Sequence, residues 1–320
     1  MTGTPDVGRA GHHGRSVDRA PLSRARLGDG VGGTPLSAAL RSAVDQLARA
    51  GIESSRPDAR ALAAYALGLS PGELARVAEL TDADHRRFTE LVDRRAARVP
   101  LQHLLGRVGF RHLELAIGPG AFVPRPETEV VVQWAVDVLR RPDAPACPLV
   151  VDLCTGPGTI ALALANEVPT ARVHAVERDP GALQWARRNA DERAAAGDPH
   201  VTLHLGDIAD ALSELDGTVD LVASNPPYVA QGERGLVEPE VKDHDPPMAL
   251  WAGADGLDVI RLVEAAARRL LRPEGLVVVE HSDRQGRSAP EVFTATASWG
   301  AVADHRDLTG RDRFLTATRR

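Results

Sequence analysis

The sequence predicts an α/β protein with a mostly parallel sheet of seven strands, preceded by a small helical bundle. Beyond Pro126, strand-like apolar runs alternate with helix-like segments, which is the pattern of a parallel sheet covered by helices. The last two strand-like runs, 301–305 and 313–317, are joined by a short polar segment, so this C-terminal pair is expected to be antiparallel. Before residue 105, apolar residues recur at helical spacing instead.

The remaining elements of the sheet region follow from the same alternation. Five further strands are predicted at 149–153, 172–176, 201–205, 219–223 and 275–280. Helices are predicted around them at 127–140, 159–166, 180–196 and 256–271.

The chain divides into four predicted segments. Residues 1–33 are rich in Gly, Arg, His and Asp, lack a sustained hydrophobic period and are expected to be a disordered tail. Residues 34–105 contain four short helices, which need mutual packing and therefore form a helical domain. Residues 106–125 alternate in polarity around a turn at 118–120 and predict a β-hairpin linker. Residues 126–320 form the sheet domain.

Local signals place the starts of the four short helices. The first begins after Pro35, and the second begins near Pro57. Ser70 and Glu73 have the spacing of a capping box and open a short third helix. Thr81 caps the fourth.

Composition excludes several classes of protein. The net charge of -6 and the aromatic content of 3% give no general attraction for nucleic acid and no surface for stacking bases. Cys147 and Cys154 form no CxxC pair, which excludes a disulfide framework and a zinc cluster and fits a reducing cytoplasm. No metal site is predicted, because His12 and His13 lie in the tail without further ligands. No apolar stretch approaches membrane-spanning length, so no membrane association is expected.

A glycine-bearing loop leaves the first strand of the sheet and enters a helix. It consists of Cys154, Thr155, Gly156, Pro157 and Gly158. Its glycines let the backbone come close to a ligand, and the helix N-terminus offers free N–H groups.

Acceptors follow the next two strands. Glu177 ends the second strand, where a carboxylate accepts hydrogen bonds from two ribose hydroxyls. Asp207 follows the third strand and is expected to accept from an adenine amino group, beside the apolar wall of Ile208. Together with the loop, these residues predict a cofactor that contains adenosine.

The same loop also matches the dinucleotide fingerprint. The run from Gly156 to Ala161 satisfies G-x-G-x-x-G/A, and Glu177 lies at the expected distance, so these residues alone leave NAD and S-adenosylmethionine nearly tied. Two features favour S-adenosylmethionine: the antiparallel C-terminal pair, and an acceptor-only turn after the fourth strand. No His or Lys is placed as a hydride-transfer acid.

That turn is Asn225-Pro226-Pro227-Tyr228. Each residue before a proline is pushed toward extended backbone, and neither proline has an N–H to donate. The turn therefore offers the Asn225 side-chain oxygen and backbone carbonyls, which suit a planar NH2 group. Tyr228 adds an aromatic face to flank a planar substrate or a cationic methyl donor.

These motifs resemble the family of protein-(glutamine-N5) methyltransferases that modify peptide chain release factors, over about residues 35 to 320. The most specific segments are Arg-Pro-Glu-Thr-Glu at 125–129 and Asp-Leu-Thr-Gly-Arg-Asp-Arg at 307–313. The others are the cofactor loop, the Asn-Pro-Pro-Tyr turn, Phe110 and the runs 100–106, 239–243, 249–250 and 253–258.

The resemblance implies a class I S-adenosylmethionine-dependent methyltransferase fold, with the helical domain recognising the substrate. It implies an enzyme that methylates the side-chain amide nitrogen of the glutamine in the Gly-Gly-Gln loop of release factors, in the cytoplasm, with S-adenosylhomocysteine as product. Among its departures from the family, Cys154 stands where glycine is usual, and Ile208 replaces a frequent larger or aromatic residue. Neither departure removes a group that the chemistry needs.

The predicted roles follow from the weak nucleophilicity of an amide nitrogen. Asn225 and the Pro226 carbonyl are expected to accept both amide N–H bonds, which aims the nitrogen at the methyl group and disperses positive charge. Pro227 and Tyr228 complete the substrate turn, and Asn225 also borders the cofactor. No strong base is needed, because the N-methylated amide cation is very acidic.

Several alternatives stay open at this point. Arg125, Glu127 and Glu129 either close over the methyl donor and substrate or belong to an ordinary helix start. Asp152 either orients the glycine loop or ends a strand, and 307–313 is either a salt-bridged turn or part of the site. The function itself has two rivals: an adenine-N6 methyltransferase acting on DNA or RNA, and a non-catalytic S-adenosylmethionine-binding module.

Overall fold

The computed structural model describes residues 33–320. They form two compact units: the first ends at Asp93, and the second begins at Arg94. The tail predicted at 1–33 lies outside the described residues except for Gly33, and the predicted domain division near residue 105 stays a prediction. Among residues 33–320, no helix has both the length and the apolar character that crossing a membrane requires.

Helices form most of the first unit. Its elements are β1 (Thr34–Pro35), α1 (Leu36–Arg49), α2 (Ser55–Leu67), β2 (Glu79–Leu80) and α3 (Asp82–Ala96), whose last three residues belong to the second unit. The apolar face of α1 packs on α2, and Leu47 and Leu62 are completely buried there. This packing supplies the stability that helices of this length lack on their own.

Of the four helix-start signals, two are confirmed, one is displaced by two residues and one differs. The second helix begins at Ser55, two residues before the predicted start at Pro57. The first helix begins directly after Pro35, and the Thr81 hydroxyl accepts the Asp84 N–H at 3.1 Å as a cap of α3. The Ser70 N–H donates to the Glu73 carboxylate at 2.9 Å, as a capping box requires. The segment that it opens, however, is a single 3-10 turn and not an α-helix.

A β-hairpin lies near the start of the second unit, but its turn is not where the sequence predicted it. The elements are α4 (Leu101–Leu105), β3 (Arg107–Phe110) and β4 (Leu113–Ala116). Arg111 and His112 form the turn, and 121–123 is not a strand. Arg111 has φ 49°, which is uncommon for arginine; its N–H donates to Glu129 at 3.0 Å, and its guanidinium pairs with Glu167 at 2.7 Å. The prediction was wrong because tertiary contacts, not turn-forming residues, hold this turn.

The rest of the second unit alternates strands and helices as predicted. In chain order the elements are α5 (Thr128–Leu139), β5 (Leu149–Leu153), α6 (Thr159–Glu167), β6 (Arg172–Glu177), α7 (Pro180–Ala195), β7 (Val201–Leu205), β8 (Val219–Ser224), α8 (Pro239–His244), α9 (Asp258–Leu270), β9 (Leu271–Glu280), α10 (Ser288–Thr294), β10 (Trp299–Arg306) and β11 (Asp312–Arg319).

Seven of these strands form one sheet in the order β10-β11-β9-β8-β5-β6-β7. All neighbouring pairs from β9 to β7 are parallel, while β11 runs antiparallel to both β9 and β10. A mostly parallel sheet with an antiparallel strand near the C-terminus defines the class I methyltransferase fold. The predicted fold is therefore confirmed.

Apolar residues on both faces of the sheet form the core. Successive side chains of a strand point to opposite faces, so Val150 of β5 packs with α5 and α6 while its neighbour Val151 packs with α9. Both side chains are completely buried. Because helices cover both faces, polar ligands can reach the sheet only at its edges and ends.

One end of the sheet gathers the segments that carry polar side chains. Strand β5 lies between β6 and β8. The strands after β5 are added first on one side of it, β6 and then β7, and then on its other side, from β8 onward. Such a switch point opens a crevice at the carboxyl ends of the strands. Cys154, Glu177, Asn225 and Glu280 all lie at these carboxyl ends.

Candidate active site

A cavity of about 290 Å³ lies at this end of the sheet. It brings together nearly all the residues that the sequence singled out for the cofactor and the substrate: Cys154, Thr155, Gly156, Pro157, Glu177, Asp207, Ile208, Asn225, Pro226, Pro227 and Tyr228. Gly158 is the exception and does not line the cavity. One site therefore contains both the glycine loop and the acceptor-only turn.

The two glycines of the loop serve different purposes. Gly156 has φ 58°, and a side chain at this position would enter open space beside the cavity. Gly158 has φ 90°, and an added Cβ would lie 3.0 Å from a Leu162 methyl. Gly158 is therefore needed for the turn into α6 and for its packing, while Gly156 leaves room at the cavity wall.

Glu177 is fixed at the cavity wall by two backbone N–H groups. Its Oε2 accepts from Gly156 and its Oε1 accepts from Asp179, both at 2.9 Å. Each carboxylate oxygen can accept more than one hydrogen bond, so both remain able to accept from hydroxyl groups. The predicted contact with ribose stays a prediction that this geometry permits.

Asp207 and Ile208 lie on the same wall as predicted. Asp207 accepts the Ala209 N–H at 3.1 Å, which holds its carboxylate at the start of the loop. Ile208 is only 7% exposed and presents an apolar surface beside it. This pairing of an acceptor with an apolar wall suits an aminopurine.

Asp152 holds the glycine loop, which decides one of the open alternatives. Its Oδ2 accepts from the Thr155 hydroxyl at 2.5 Å and from the Ala161 N–H at 3.1 Å. Its Oδ1 is buried without a partner in the described part of the chain. Burial raises the pKa of Asp152 to about 7. An unpaired, buried acceptor in the cavity wall suits a cationic group of a ligand.

These groups fit S-adenosylmethionine. Glu177 would hold the ribose hydroxyls, Asp207 and Ile208 would hold the adenine, and the Asp152 Oδ1 would accept from the ammonium group. S-adenosylmethionine supplies a methyl group activated on a sulfonium sulfur.

Cys154 occupies a strained position in the loop. Its φ is 61°, in the left-handed region that glycine adopts without cost. Burial raises the pKa of its thiol, so the thiol stays protonated. The Cys154 side chain lines the cavity, at the position where the methyltransferase family named above usually has glycine.

The Asn225 amide is anchored on one side. Its Nδ2 donates to the Thr128 hydroxyl at 3.0 Å, which leaves Oδ1 as the atom of this amide that can accept from a ligand. Tyr228 donates its hydroxyl proton to Glu280 at 3.2 Å, while its ring lies in the cavity wall. Thr128 and Glu280 therefore hold the side chains at the two ends of the turn.

Two of these anchoring residues were missed from the sequence. Thr128 is 2% exposed and lies in the segment 125–129 that carries the resemblance. Glu280 is 1% exposed at the end of β9. A carboxylate at the end of a sheet strand was the available signal for Glu280, but nothing in the sequence paired it with Tyr228.

The segment 125–129 does not act as one unit. Arg125 lines the cavity and pairs with buried Asp245 at 2.6 Å. Glu129 faces away and accepts the Arg111 N–H of the hairpin turn. Glu127 lies close enough to Glu280 to raise the pKa of that carboxyl.

The fold and the site together define an S-adenosylmethionine-dependent methyltransferase. Two family models match the chain: the PrmC N-terminal domain at residues 38–106, and the methyltransferase small domain at residues 138–239. A methyltransferase from Pyrococcus furiosus of known structure is 18% identical, over 71% of this chain and 98% of that one, with a TM-score of 0.48.

Curated relatives are much more similar in sequence. The release factor glutamine methyltransferase of Streptomyces coelicolor is 54% identical over 88% of this chain and 97% of the relative. That of Mycolicibacterium smegmatis is 47% identical over 89% and 98%. The chain belongs to the release factor glutamine methyltransferase family. A Streptomyces pristinaespiralis relative, 43% identical over 89% and 95%, is a 4-amino-L-phenylalanine/4-methylamino-L-phenylalanine methyltransferase.

Proposed function

We propose that this protein transfers the methyl group of S-adenosylmethionine to the side-chain amide nitrogen of a release factor glutamine, the glutamine of the Gly-Gly-Gln loop. The anchored Asn225 amide carries the proposal. Because its Nδ2 is bound to Thr128, its Oδ1 is left to accept one N–H of a substrate carboxamide. The Pro226 carbonyl accepts the other. A release factor as substrate places this activity in the cytoplasm.

Positioning and electrostatics are the contributions of this chain to the reaction. Two acceptors orient the amide nitrogen toward the cofactor and stabilise the positive charge that develops on it. Phe122, Met248 and Leu250 add apolar surface to the cavity. The proton of the methylated amide is lost to water without a strong base, because that cation is very acidic.

Other planar NH2 groups are the natural competitors for the same turn. The Streptomyces pristinaespiralis relative acts, by its name, on an aromatic amine, and an adenine amino group has the same planar geometry. The net charge of -6 does not favour a nucleic acid. The glutamine substrate is preferred because the 54% and 47% identical relatives carry that activity in their names.

The test is a competition among acceptors. Purified full-length protein is incubated with methyl-labelled S-adenosylmethionine and, separately, with a release factor, 4-amino-phenylalanine, and adenine-containing DNA and RNA. A release factor whose loop glutamine is replaced by alanine is the matched control. We expect label in the intact release factor alone. Label in the amine or the nucleic acid but not in the release factor would overturn the proposal, and binding without any transfer would indicate a non-catalytic module.

A further inference from the structure

A buried carboxylate lies behind the acceptor turn without touching the cavity. Glu280, at the end of β9, is 1% exposed and does not line the cavity. Tyr228 donates a hydrogen bond to its Oε1, and its Oε2 is buried without a partner at full hydrogen-bonding geometry among residues 33–320. Buried oxygens are normally paired, so this atom calls for a donor.

Thr128 is in place to supply that donor. Its hydroxyl lies close enough to the Glu280 carboxyl to lower its pKa. The same hydroxyl accepts the Asn225 Nδ2–H at 3.0 Å. A hydroxyl has a single proton, and since its oxygen is accepting from Asn225, that proton is free to turn toward Glu280.

The direction of these hydrogen bonds depends on Glu280 being ionised. An ionised carboxylate only accepts, so Thr128 must donate to it and must accept from Asn225. A protonated or amide group in its place could donate to Thr128 instead. The Thr128 proton would then no longer be held by Glu280 and could be donated to Asn225, whose amide would turn and present its NH2 to the cavity. In that orientation the turn loses its side-chain acceptor.

The surroundings of Glu280 include groups that oppose its charge and groups that support it, and the opposition is the larger effect. Burial raises the pKa of Glu280 to about 7, and the nearby Glu127 raises it as well. Thr128, Arg313 and Tyr228 lower it. Tyr228 remains a donor, because burial and the Glu280 charge raise the pKa of its hydroxyl.

Arg313 is itself held by the C-terminal hairpin turn. Its Nε lies 3.2 Å from the Asp307 carboxylate, which is only 8% exposed. Asp307 also accepts from the Thr309 hydroxyl at 2.6 Å, from the Thr309 N–H at 2.8 Å and from the Arg311 N–H at 3.2 Å. These bonds lower the pKa of Asp307 to about 2, so its charge is permanent at neutral pH. The segment 307–313 therefore places a fixed positive charge beside Glu280.

We propose that Glu280 is a positioning residue: acting through Thr128, it fixes the direction of the hydrogen bonds that present the Asn225 Oδ1 to the substrate amide, while it also holds Tyr228. The inference rests on the proposed function, because it explains how the acceptor for a glutamine amide is oriented. It assigns a joint purpose to Thr128, which borders the cavity, and to the Arg313 hairpin, which does not.

The test combines kinetics with a direct observation of Asn225. The variants are Glu280→Gln, which keeps the shape but can donate, Thr128→Val, which removes the hydroxyl, and Thr128→Ser, which keeps it. Glu264→Gln is the matched control, since Glu264 is a buried glutamate that accepts from Trp299 at 2.7 Å. Each variant is measured for kcat and KM with a release factor, for S-adenosylhomocysteine binding, and for its thermal midpoint.

We expect Glu280→Gln and Thr128→Val to lower kcat by about tenfold or more, since misplaced groups cost on this scale. S-adenosylhomocysteine affinity should change by less than about threefold, Thr128→Ser should restore most of kcat, and Glu264→Gln should keep it. The wild-type kcat should fall as pH drops through about 7, and this limb should be absent in Glu280→Gln. Unchanged kcat and pH profile in Glu280→Gln, or cofactor affinity lost in step with kcat, would overturn the inference.

The direct observation separates this inference from the proposed function. In 15N-labelled protein bound to S-adenosylhomocysteine, the Asn225 side-chain amide signal should shift with a midpoint near pH 7 in wild type and not in Glu280→Gln. If the Asn225 signal depends on Glu280 in this way but the protein methylates no release factor, the proposed function alone is refuted. If the protein methylates a release factor but the Asn225 signal does not depend on Glu280, the inference alone is refuted.

Discussion

The guanidinium of Arg125 lies 2.6 Å from the carboxylate of Asp245, whose side chain has no solvent exposure. Asp245 also accepts the Val123 N–H at 3.4 Å. The pair thus joins the segment before α5 to the segment after α8. Pro124, next to Arg125, and Pro246, next to Asp245, both line the cavity. Arg125 is therefore a structural residue of this site.

Arg125→Gln should destabilise the protein by about 2 kcal/mol at pH 8, because it leaves the buried Asp245 carboxylate without its charged partner. The loss is moderate because the Arg125 side chain is itself partly exposed to solvent. Burial already raises the pKa of Asp245 despite Arg125, and losing Arg125 raises it further. A carboxyl with a raised native pKa loses stability as pH rises above its unfolded pKa. Urea unfolding should therefore show a smaller loss at pH 5. Asp245→Asn in the same background should remove the pH dependence, and an equal loss at both pH values would contradict this account.

Cofactor affinity should depend on pH through Asp152. The pKa of Asp152 is about 7, and a cationic group bound beside its Oδ1 requires the ionised form. Affinity for S-adenosylmethionine should therefore weaken as pH falls through 7, by about tenfold between pH 7.5 and pH 6. Titration calorimetry at several pH values measures this. Asp152→Asn should bind weakly with little pH dependence, and a flat wild-type profile would exclude the assigned contact.

Glycine should be preferred over alanine at position 154. At ordinary positions, glycine is less favourable than alanine by about 0.5–1 kcal/mol. The φ of 61° at Cys154 reverses this preference, because the left-handed conformation costs a residue with a Cβ about 1–2 kcal/mol. Cys154→Gly should therefore be more stable than Cys154→Ala by about 1 kcal/mol in chemical denaturation. If the alanine variant were the more stable one, the loop would not be strained at this residue.

The sequence predicted the sheet, the cofactor loop and the acceptor turn because each depends on local pattern. Apolar alternation places the strands, and the glycines and prolines of 154–158 and 225–228 dictate backbone shape. Parallel strands then bring their ends together, so these segments meet at one cavity. Among the predicted residues of these two segments, Gly158 alone does not line the cavity; it supports the packing of α6.

What the sequence did not reveal depends on contacts between distant segments. The hairpin turn at Arg111 exists because Glu129 and Glu167 bind an arginine in an uncommon conformation. Thr128 and Glu280 meet the Asn225 turn only because α5 and β9 flank β8 in the folded chain. No local pattern distinguishes such residues from ordinary helix starts and strand ends.

The most direct test of the central claim is the methylation of a release factor by wild type and by Asn225→Ala, read by tandem mass spectrometry at the loop glutamine. The wild type should place one methyl group on the side-chain amide nitrogen. Loss of one preorganised contact should lower the turnover of Asn225→Ala by about a hundredfold, or about 3 kcal/mol of barrier, with a much smaller change in S-adenosylmethionine affinity. A variant that loses turnover and cofactor affinity equally, or a methyl group on any other atom, would contradict the account.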